Sequence, residues 1–151
     1  MSGFEPRNPD YRDHVSAIFD AAPFIRVLGA RLQSVAPGMC ETALELRPDH
    51  LQQNGFVHAG VQATLADHTA GCAAATLMAA DMAVLTAEFK INLLRAASGT
   101  RLCCCARVLR PGSSLTVAES ELFAEEGERR ALVSKALVTL TFVPAASLRQ
   151  E

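Results

Sequence analysis

The sequence has few aromatic residues and little net charge. Of its 151 residues 5% are aromatic, Trp is absent, Tyr occurs once, and the formal net charge at pH 7 is -2. Proteins that bind nucleic acids usually combine a basic surface with aromatic rings on which bases stack, and this composition supplies neither. The chain is also 50% hydrophobic and 20% charged, which excludes the low-hydropathy composition typical of disorder. We therefore expect a single folded domain over residues 1–151 that binds no nucleic acid.

Patterns for export and for metal binding are missing as well. The N-terminal residues carry charges and prolines ahead of any apolar run, which is not the order of a secretory signal. The five cysteines, which are Cys40, Cys72 and the run 103–105, form neither a CxxC pair nor a spaced disulfide framework. We predict reduced, structural cysteines, no metal site and a cytoplasmic location, because free cysteines pack well and persist in reducing compartments.

One segment is apolar on nearly every side. Residues 58–80 are almost continuous Ala, Leu, Val, Gly and Met without proline, which predicts a buried helix of about six turns. A membrane span is disfavoured, because Gln62, Asp67 and His68 would lie near the centre of the bilayer. A helix of this kind must be covered on most of its faces, so we expect a sheet to wrap around it.

The segments on both sides of this helix have strand patterns. A hairpin with strands at 30–35 and 40–46 precedes it. Four runs separated by short turns follow it, at 84–93, 102–109, 115–123 and 131–142. Connections this short permit only antiparallel pairing. The predicted fold class is α+β, a curved and mainly antiparallel sheet of five to six strands wrapped around one long central helix.

The sequence also predicts which side chains share a face of the strand at 84–93 and what the two ends of the chain form. Strict alternation in this strand predicts that Thr86 lies on its polar face and Phe89 on its apolar face. Residues 1–23 are expected to form a helical extension, and the spacing from Asp10 to Leu28 predicts a short helix, a break at Pro23 and another turn. Residues 145–151 are expected to form a frayed tail.

Asp67 is a charged residue within the otherwise apolar central helix. It is the only acidic residue between Asp49 and Asp81, and it lies two turns inside an apolar segment. Burial of a carboxylate is costly, which favours a functional role for Asp67. A structural contact with the adjacent His68 is the alternative explanation.

The residues that lead into the helix favour an anion site. The loop at 52–60 delivers the chain to a helix start, where free N–H groups and the positive end of the helix dipole can stabilise an anion or a developing oxyanion. His58 at this start is expected to act as a helix cap or as a wall of an active site.

Taken together, Gln52, Gly55, His58-Ala59-Gly60 and Asp67 resemble the signature of the hotdog-fold acyl-CoA thioesterases of the phenylacetate-pathway (PaaI-like) type. That signature is an Asn or Gln, a Gly, His-Gly-Gly and an acid nine residues after the His. The resemblance extends over residues 24–143 and implies hydrolysis of an acyl-CoA thioester to a free acid and coenzyme A. It also implies a homo-oligomer, a dimer or a dimer of dimers, with the substrate at the interface of two edge-joined subunits. Coenzyme A is part of the substrate, so no separate cofactor is implied.

The resemblance assigns a role to each matching position. Asp67 would be the nucleophile or the general base, and the N–H of Ala59, or else Gly60, would polarise the thioester carbonyl. Gln52 would contact the substrate or water. Thr86 would position water and reach the site of the facing subunit.

The coenzyme A contacts are less clearly assigned. Ser113 stands where many relatives of this type carry a basic residue. Arg95, Arg107 and Arg110 are therefore the candidate phosphate contacts, together with Ser113 itself.

Two other functions are possible for the same fold. An enoyl-thioester hydratase or dehydratase would pair an acid with a His, but His68 would point about 100° away from its neighbour Asp67 on a helix. A non-catalytic acyl-CoA-binding sensor would need the channel and not the acid.

Overall fold

The structure of the chain is a computed structural model that describes residues 3–148. Its helices and strands, in chain order, are α1 (Tyr11–Ala21), α2 (Pro23–Leu28), β1 (Arg31–Ala36), β2 (Met39–Glu45), α3 (Ala59–Ala75), β3 (Met82–Leu93), β4 (Arg101–Arg110), β5 (Leu115–Glu126) and β6 (Arg129–Pro144). Short 3-10 helices lie at Pro48–His50 and Ala145–Leu148.

All strands belong to one antiparallel sheet with the order β1-β2-β4-β5-β6-β3. Tight turns join β1 to β2 and β5 to β6, where Gly38 and Gly127 have φ angles of 71° and 58°. Glycine adopts this left-handed conformation without steric cost, which explains its place in both turns. The sheet leaves β1 and β3 as its edges. The predicted α+β architecture is confirmed.

Helix α3 contacts every strand from β2 to β6. Its buried side is built mainly of small residues, including Ala66, Ala70 and Ala73, none of which retains any exposed surface. Small side chains allow the sheet to come close to the helix axis, so one layer of strands covers most of the helix. The prediction of a buried, nearly all-apolar helix is therefore confirmed.

The helix is shorter than the predicted range of 58–80, since it covers Ala59–Ala75. The hydroxyl of Thr76 donates to the carbonyl of Ala73 at 2.6 Å and accepts the N–H of Gly38 at 2.7 Å. Side-chain bonds of this kind compete with helical ones, and the second bond ties the chain to the β1–β2 turn. The apolar composition continues past this point, which is why the sequence pattern overestimates the helix.

The cysteine run of β4 alternates across the sheet. Cys104 is fully buried on the side of α3, and burial raises the pKa of its thiol to about 12. Cys103 and Cys105 are only half-buried. All five thiols are free, and a thiol with such a pKa stays protonated near neutral pH.

The N-terminal segment is part of the core and contains the predicted short helix, the break and the further turn. Helix α1 buries Val15 and Phe19 and contacts α3, while α2 starts with Pro23 and continues to Leu28. Gly29, with a φ of 88°, ends α2. Pro23 separates the two helices, because a proline cannot continue the first helix and is well tolerated at the first position of the next.

The frayed tail predicted for 145–151 is corrected for its first four residues. Ala145–Leu148 form a 3-10 helix, and the N–H of Ala145 donates to the carbonyl of Asp81 at 2.9 Å. Residues 1–2 of the predicted extension and 149–151 of the predicted tail lie outside the described residues.

Candidate active site

The loop before α3 folds back so that its first and last residues pair. Leu51 and Val57 form an isolated antiparallel bridge, and the N–H of Gln52 donates to the carbonyl of Phe56 at 2.8 Å. Gly55, with a φ of 83°, supplies the left-handed residue that this turn requires. The loop therefore leads the chain into α3 along a defined path.

His58 is the N-cap of α3. Its Nδ1 accepts the N–H of Gly60 at 2.8 Å. A Cβ at position 60 would lie 3.0 Å from that nitrogen, so glycine gives the imidazole the room it needs. Of the two roles expected for His58, the structure shows the cap.

Ala59 is the first residue of α3 and is exposed. Its N–H has no acceptor within residues 3–148, whereas the next N–H, that of Gly60, is already bonded to His58. Free N–H groups at a helix start carry the positive end of the helix dipole. Of the two candidate oxyanion donors, Ala59 has the available N–H and Gly60 does not.

Asp67 lies on the open stripe of α3 and is half-buried. The hydroxyl of Thr86 in β3 donates to Oδ1 of Asp67 at 2.7 Å. Within the described part of the chain this is the one hydrogen bond to the carboxylate, so Oδ2 is left for a ligand or water. The alternative, a structural contact between Asp67 and His68, is not formed, and the ring of His68 packs against Phe19 with 5.1 Å between the ring centroids.

The face predicted for Thr86 is wrong. The register of β3 shifts around Ala87, which is the extra residue of a β-bulge. Thr86 pairs with Leu140 and Phe89 with Val138, and both partners are completely buried on the side of α3. Directly paired residues share a face of the sheet, so Thr86 and Phe89 both face the helix. Strict alternation cannot predict an extra residue.

Within the single chain, the hydroxyl of Thr86 is bonded to Asp67 of its own chain. The two side chains therefore form one hydrogen-bonded pair within the chain. The role that the resemblance implies for Thr86 in the site of the facing subunit stays a prediction.

Two openings share Asp67 as a lining residue. One is a mainly apolar cleft of about 520 Å³ between α2, β3 and the stripe of α3 that runs from Gly60 to Asp67. The other is a cavity of about 140 Å³ that includes Ile18 of α1, Gly71 of α3 and Val84 of β3. The carboxylate thus lies where a wide cleft and a smaller cavity meet.

A third cleft, of about 420 Å³, surrounds the start of α3. It brings together Gln52, His58, Ala59 and Arg95 among the predicted site residues. It also contains Gln62, which the sequence prediction did not assign. The Oε1 atom of Gln62 is buried without a hydrogen-bond partner, although its amide nitrogen donates to the carbonyl of Val57 at 3.3 Å. The signal in the sequence that could have assigned Gln62 to the site is its polar side chain within an otherwise apolar helix.

The other candidate coenzyme A contacts do not lie in this cleft. Arg107 donates to Glu119 at 2.6 Å from a position where β4 pairs with β5. Arg110 ends β4, and Ser113 lies in the exposed turn that follows. Arg95 is therefore the predicted cation that lines a cleft with the start of α3.

Neither a metal centre nor a membrane span is found in the part of the chain that the structure describes. No group of three or more His, Cys, Asp or Glu side chains among residues 3–148 is arranged to hold a metal ion. None of the helices in this range is long and apolar enough to cross a bilayer.

Sequence comparison matches residues 54–131, just over half of the chain, to the family described as the Thioesterase superfamily. The chain belongs to the thioesterase superfamily. The match contains the start of α3, Asp67 and Thr86, and Gln52 lies two residues before it. The prediction of a thioester hydrolase is confirmed.

Several solved structures are also similar to this chain. A thioesterase family protein from Silicibacter pomeroyi is 36% identical, with a TM-score of 0.87 over 89% of this chain and 98% of its own. A conserved protein from Pseudomonas aeruginosa is 27% identical, with a TM-score of 0.75 over 87% of this chain and 98% of its own. The E. coli PaaI protein from the phenylacetic acid degradation operon is 17% identical and shares the fold, with a TM-score of 0.78 over 88% of this chain and 93% of its own. A search of curated proteins gives no significant match. The hotdog fold expected for this thioesterase is confirmed.

Proposed function

We propose that this thioesterase hydrolyses an acyl-CoA to a free acid and coenzyme A, with Asp67 as the reacting carboxylate. The observation that carries the proposal is the hydrogen bond from Thr86 to Oδ1 of Asp67, at the junction of two openings. The bond orients the carboxylate and leaves Oδ2 directed to a substrate or water. As a general base, Asp67 takes a proton from the attacking water; as a nucleophile, it attacks the carbonyl carbon itself. In both cases the C–S bond breaks and coenzyme A leaves as the thiol. In the nucleophilic route the acyl group stays on Asp67 as an anhydride, and water then hydrolyses that anhydride to the free acid and restores the carboxylate.

The N–H of Ala59 is the proposed oxyanion donor. Negative charge develops on the carbonyl oxygen during attack, and a preorganised N–H at a helix start stabilises it. The unbonded state of this N–H supports the assignment, because a donor committed to a cap is not available to the substrate. A methyl side chain at this position does not block the N–H.

The spacing of these groups supports a site built by two chains. Asp67 follows Ala59 by eight residues on the same helix, which corresponds to about 12 Å along the axis. A carbonyl held about 3 Å from its donor and attacked from about 3 Å spans only about 7 Å. One carbonyl therefore cannot use both groups of one chain, and we propose that Ala59 of one copy faces Asp67 of another.

Edge strand β3 supports a dimer. It is 12 residues long, it pairs on one side with β6, and several of its large apolar side chains are exposed, including Phe89 and Leu93 at 41% and 49%. An exposed apolar edge is a template for pairing with another strand. We propose a homodimer joined at β3, alone or within a dimer of dimers.

The coenzyme A end and the location complete the proposal. Arg95, in the cleft at the start of α3, is the proposed phosphate contact, and Gln52 in the same cleft is the proposed contact of the thioester or its water. The free cysteines fit a reducing compartment, so we propose the cytoplasm.

The test is hydrolysis of a panel of short, medium, long and aromatic acyl-CoAs by the purified protein. The assay follows loss of thioester absorbance, because thiol reagents would also react with the chain's own cysteines. Turnover by the unsubstituted protein and its loss in Asp67→Asn support the proposal. Tight acyl-CoA binding without turnover, unchanged in Asp67→Asn, would show a binding protein instead.

A further inference from the structure

Two hydrogen bonds tie β2 and the turn before it to helix α3. The hydroxyl oxygens of Thr42 and Thr69 are 2.7 Å apart, and the N–H of Gly38 donates to the hydroxyl of Thr76 at 2.7 Å. The residues on the strand side are four apart, which is about 13 Å along a strand, and those on the helix are seven apart, which is about 10 Å along its axis. Strand and helix therefore lie side by side between the two bonds.

Cys40 and Cys72 occupy the space between these bonds. Cys40 lies midway on the strand side, two residues from each bonded residue, and residues two apart on a strand share a face. Cys72 follows Thr69 by three residues and precedes Thr76 by four, which is the spacing of one helix face. Both cysteines are buried, at 1% and 2% exposure, and their thiols lie beside each other in the core.

The two thiols are not equivalent. The thiol of Cys40 beside it holds the pKa of Cys72 below its ordinary value, and His68, one turn earlier on α3, acts in the same direction against the effect of burial. The pKa of Cys40 is raised by its contact with Cys72 and by burial. Cys72 also lines the partly open cavity of about 140 Å³ that contains Asp67, which has room for a molecule as small as hydrogen peroxide. Because the thiolate is the reactive form of a cysteine, Cys72 is the thiol that attacks first.

We infer that Cys40 and Cys72 form a peroxide-reactive pair, in which Cys72 is oxidised and Cys40 converts the product to a disulfide between β2 and α3. The Cys72 thiolate attacks one oxygen of hydrogen peroxide, so the S–O bond of a sulfenic acid forms, the O–O bond breaks and hydroxide leaves. The sulfur of Cys40 then attacks the sulfenic sulfur, so the S–S bond forms, the S–O bond breaks and the departing hydroxide takes the proton of Cys40. Two electrons pass from the two thiols to the peroxide, which is reduced to two waters.

The cysteines of β4 lack this arrangement and serve as internal controls. Neighbours on a strand point to opposite faces, so the consecutive thiols of 103–105 do not face one another. Burial raises the pKa of Cys103, to about 11, and that of Cys104, to about 12, and it also raises the pKa of Cys105. These thiols stay protonated near neutral pH and should react slowly with peroxide.

The test treats the reduced, full-length protein with hydrogen peroxide at neutral pH and follows its intact mass. The protein should lose the mass of two hydrogen atoms, peptide mapping without reduction should join Cys40 to Cys72, and dithiothreitol should restore the original mass. A different pair of joined cysteines, oxygen added first to the β4 thiols, or no reaction at all would overturn the inference. These measurements need no substituted protein.

Three variants assign the roles of the thiols. In Cys40→Ala the second step is missing, so the mass should rise by oxygen and dimedone, which reacts with sulfenic acids, should label Cys72. In Cys72→Ala no disulfide should form, and the rate of oxidation should fall by at least about 10-fold, because the remaining thiols are protonated. Cys104→Ala removes a buried thiol of the adjacent strand and is the matched control, which should form the disulfide at an unchanged rate. Unchanged oxidation of Cys72→Ala would show that another thiol reacts first and would overturn the inference.

Discussion

The two halves of the candidate site are built in different ways. The start of α3 is local, because the loop, the cap and the free N–H all lie within residues 52–60 and depend mainly on backbone geometry. The pair Asp67 and Thr86 joins a helix to an edge strand 19 residues later, and it depends on a β-bulge in that strand. A backbone donor tolerates side-chain changes, whereas the carboxylate and its partner hydroxyl do not. Substitutions should therefore affect the two halves differently.

The largest effect is expected for Asp67→Asn. An amide can act neither as a general base nor as a nucleophile, so kcat should fall by about 10² to 10⁴ while KM changes little. Steady-state kinetics with a substrate from the panel measures the loss. Asp81→Asn, at an exposed acid outside the site, is the matched control and should retain full activity. Normal turnover in Asp67→Asn would remove Asp67 from the reaction.

At the start of α3 the decisive change is one that removes the N–H. Ala59→Pro should lower kcat by about 10² to 10³, because an oxyanion donor is lost, and proline is well tolerated at the first position of a helix. Ala59→Gly keeps the N–H and should keep most activity. Circular dichroism and Tm confirm that the proline variant is folded. An active proline variant would show that the donor lies elsewhere.

Mixing two variants of low activity tests whether Asp67, Thr86 and Ala59 of one active site come from the same chain or from two chains. Each site of the proposed dimer combines Asp67 and Thr86 of one copy with Ala59 of the other. Heterodimers of Asp67→Asn and Ala59→Pro would then have one intact site, and random mixing should restore about a quarter of the activity. A mixture of Asp67→Asn with Thr86→Val should show no gain over the average of the two separate variants, because every site keeps one of the two substitutions. The opposite pattern, with heterodimers confirmed by mass spectrometry, would exclude the shared site.

The smallest effect is expected for the hydroxyl of Thr86. Thr86→Val keeps the shape and removes the donor, and a hydrogen bond to a charged group corresponds to about 10- to 100-fold in kcat. Thr86→Ser retains the hydroxyl and should stay within about 3-fold of the unsubstituted protein, on the same scale. Equal losses in both variants would indicate a packing role for this side chain.

Sequence reasoning predicted the local half of the site more fully than the distant half. The order of Gln52, His58, Ala59 and Asp67 along the chain was sufficient to predict a helix start near a carboxylate. The face of Thr86 was mispredicted, because a bulge inserts one residue without any change in the apolar alternation that defines a strand. The assembly of strands around α3 was predictable, since an all-apolar helix must be covered.

The register of β3 and the length of α3 depend on contacts between residues that are far apart in the sequence. A local pattern of polar and apolar residues contains no information on such contacts. The bond between Thr76 and Gly38 joins the end of α3 to a turn almost 40 residues earlier, and it stops the helix inside an apolar run. The sequence shows Gln62 as a polar residue of an apolar helix. That its Oε1 atom has no hydrogen-bond partner depends on where the loop before α3 lies, which the sequence does not show. Tertiary contacts thus decided the details that the sequence left open.

The unpaired edge of β3 has a consequence for how the enzyme responds to dilution. If two copies must meet along this edge to complete a site, an isolated chain has no working site at all. Below the dissociation constant of the dimer, the reaction rate would follow the square of the chain concentration, so halving the enzyme would reduce the rate about fourfold. Acyl-CoA bound across both copies would hold the dimer together, and the substrate would thereby stabilise the form of the enzyme that consumes it.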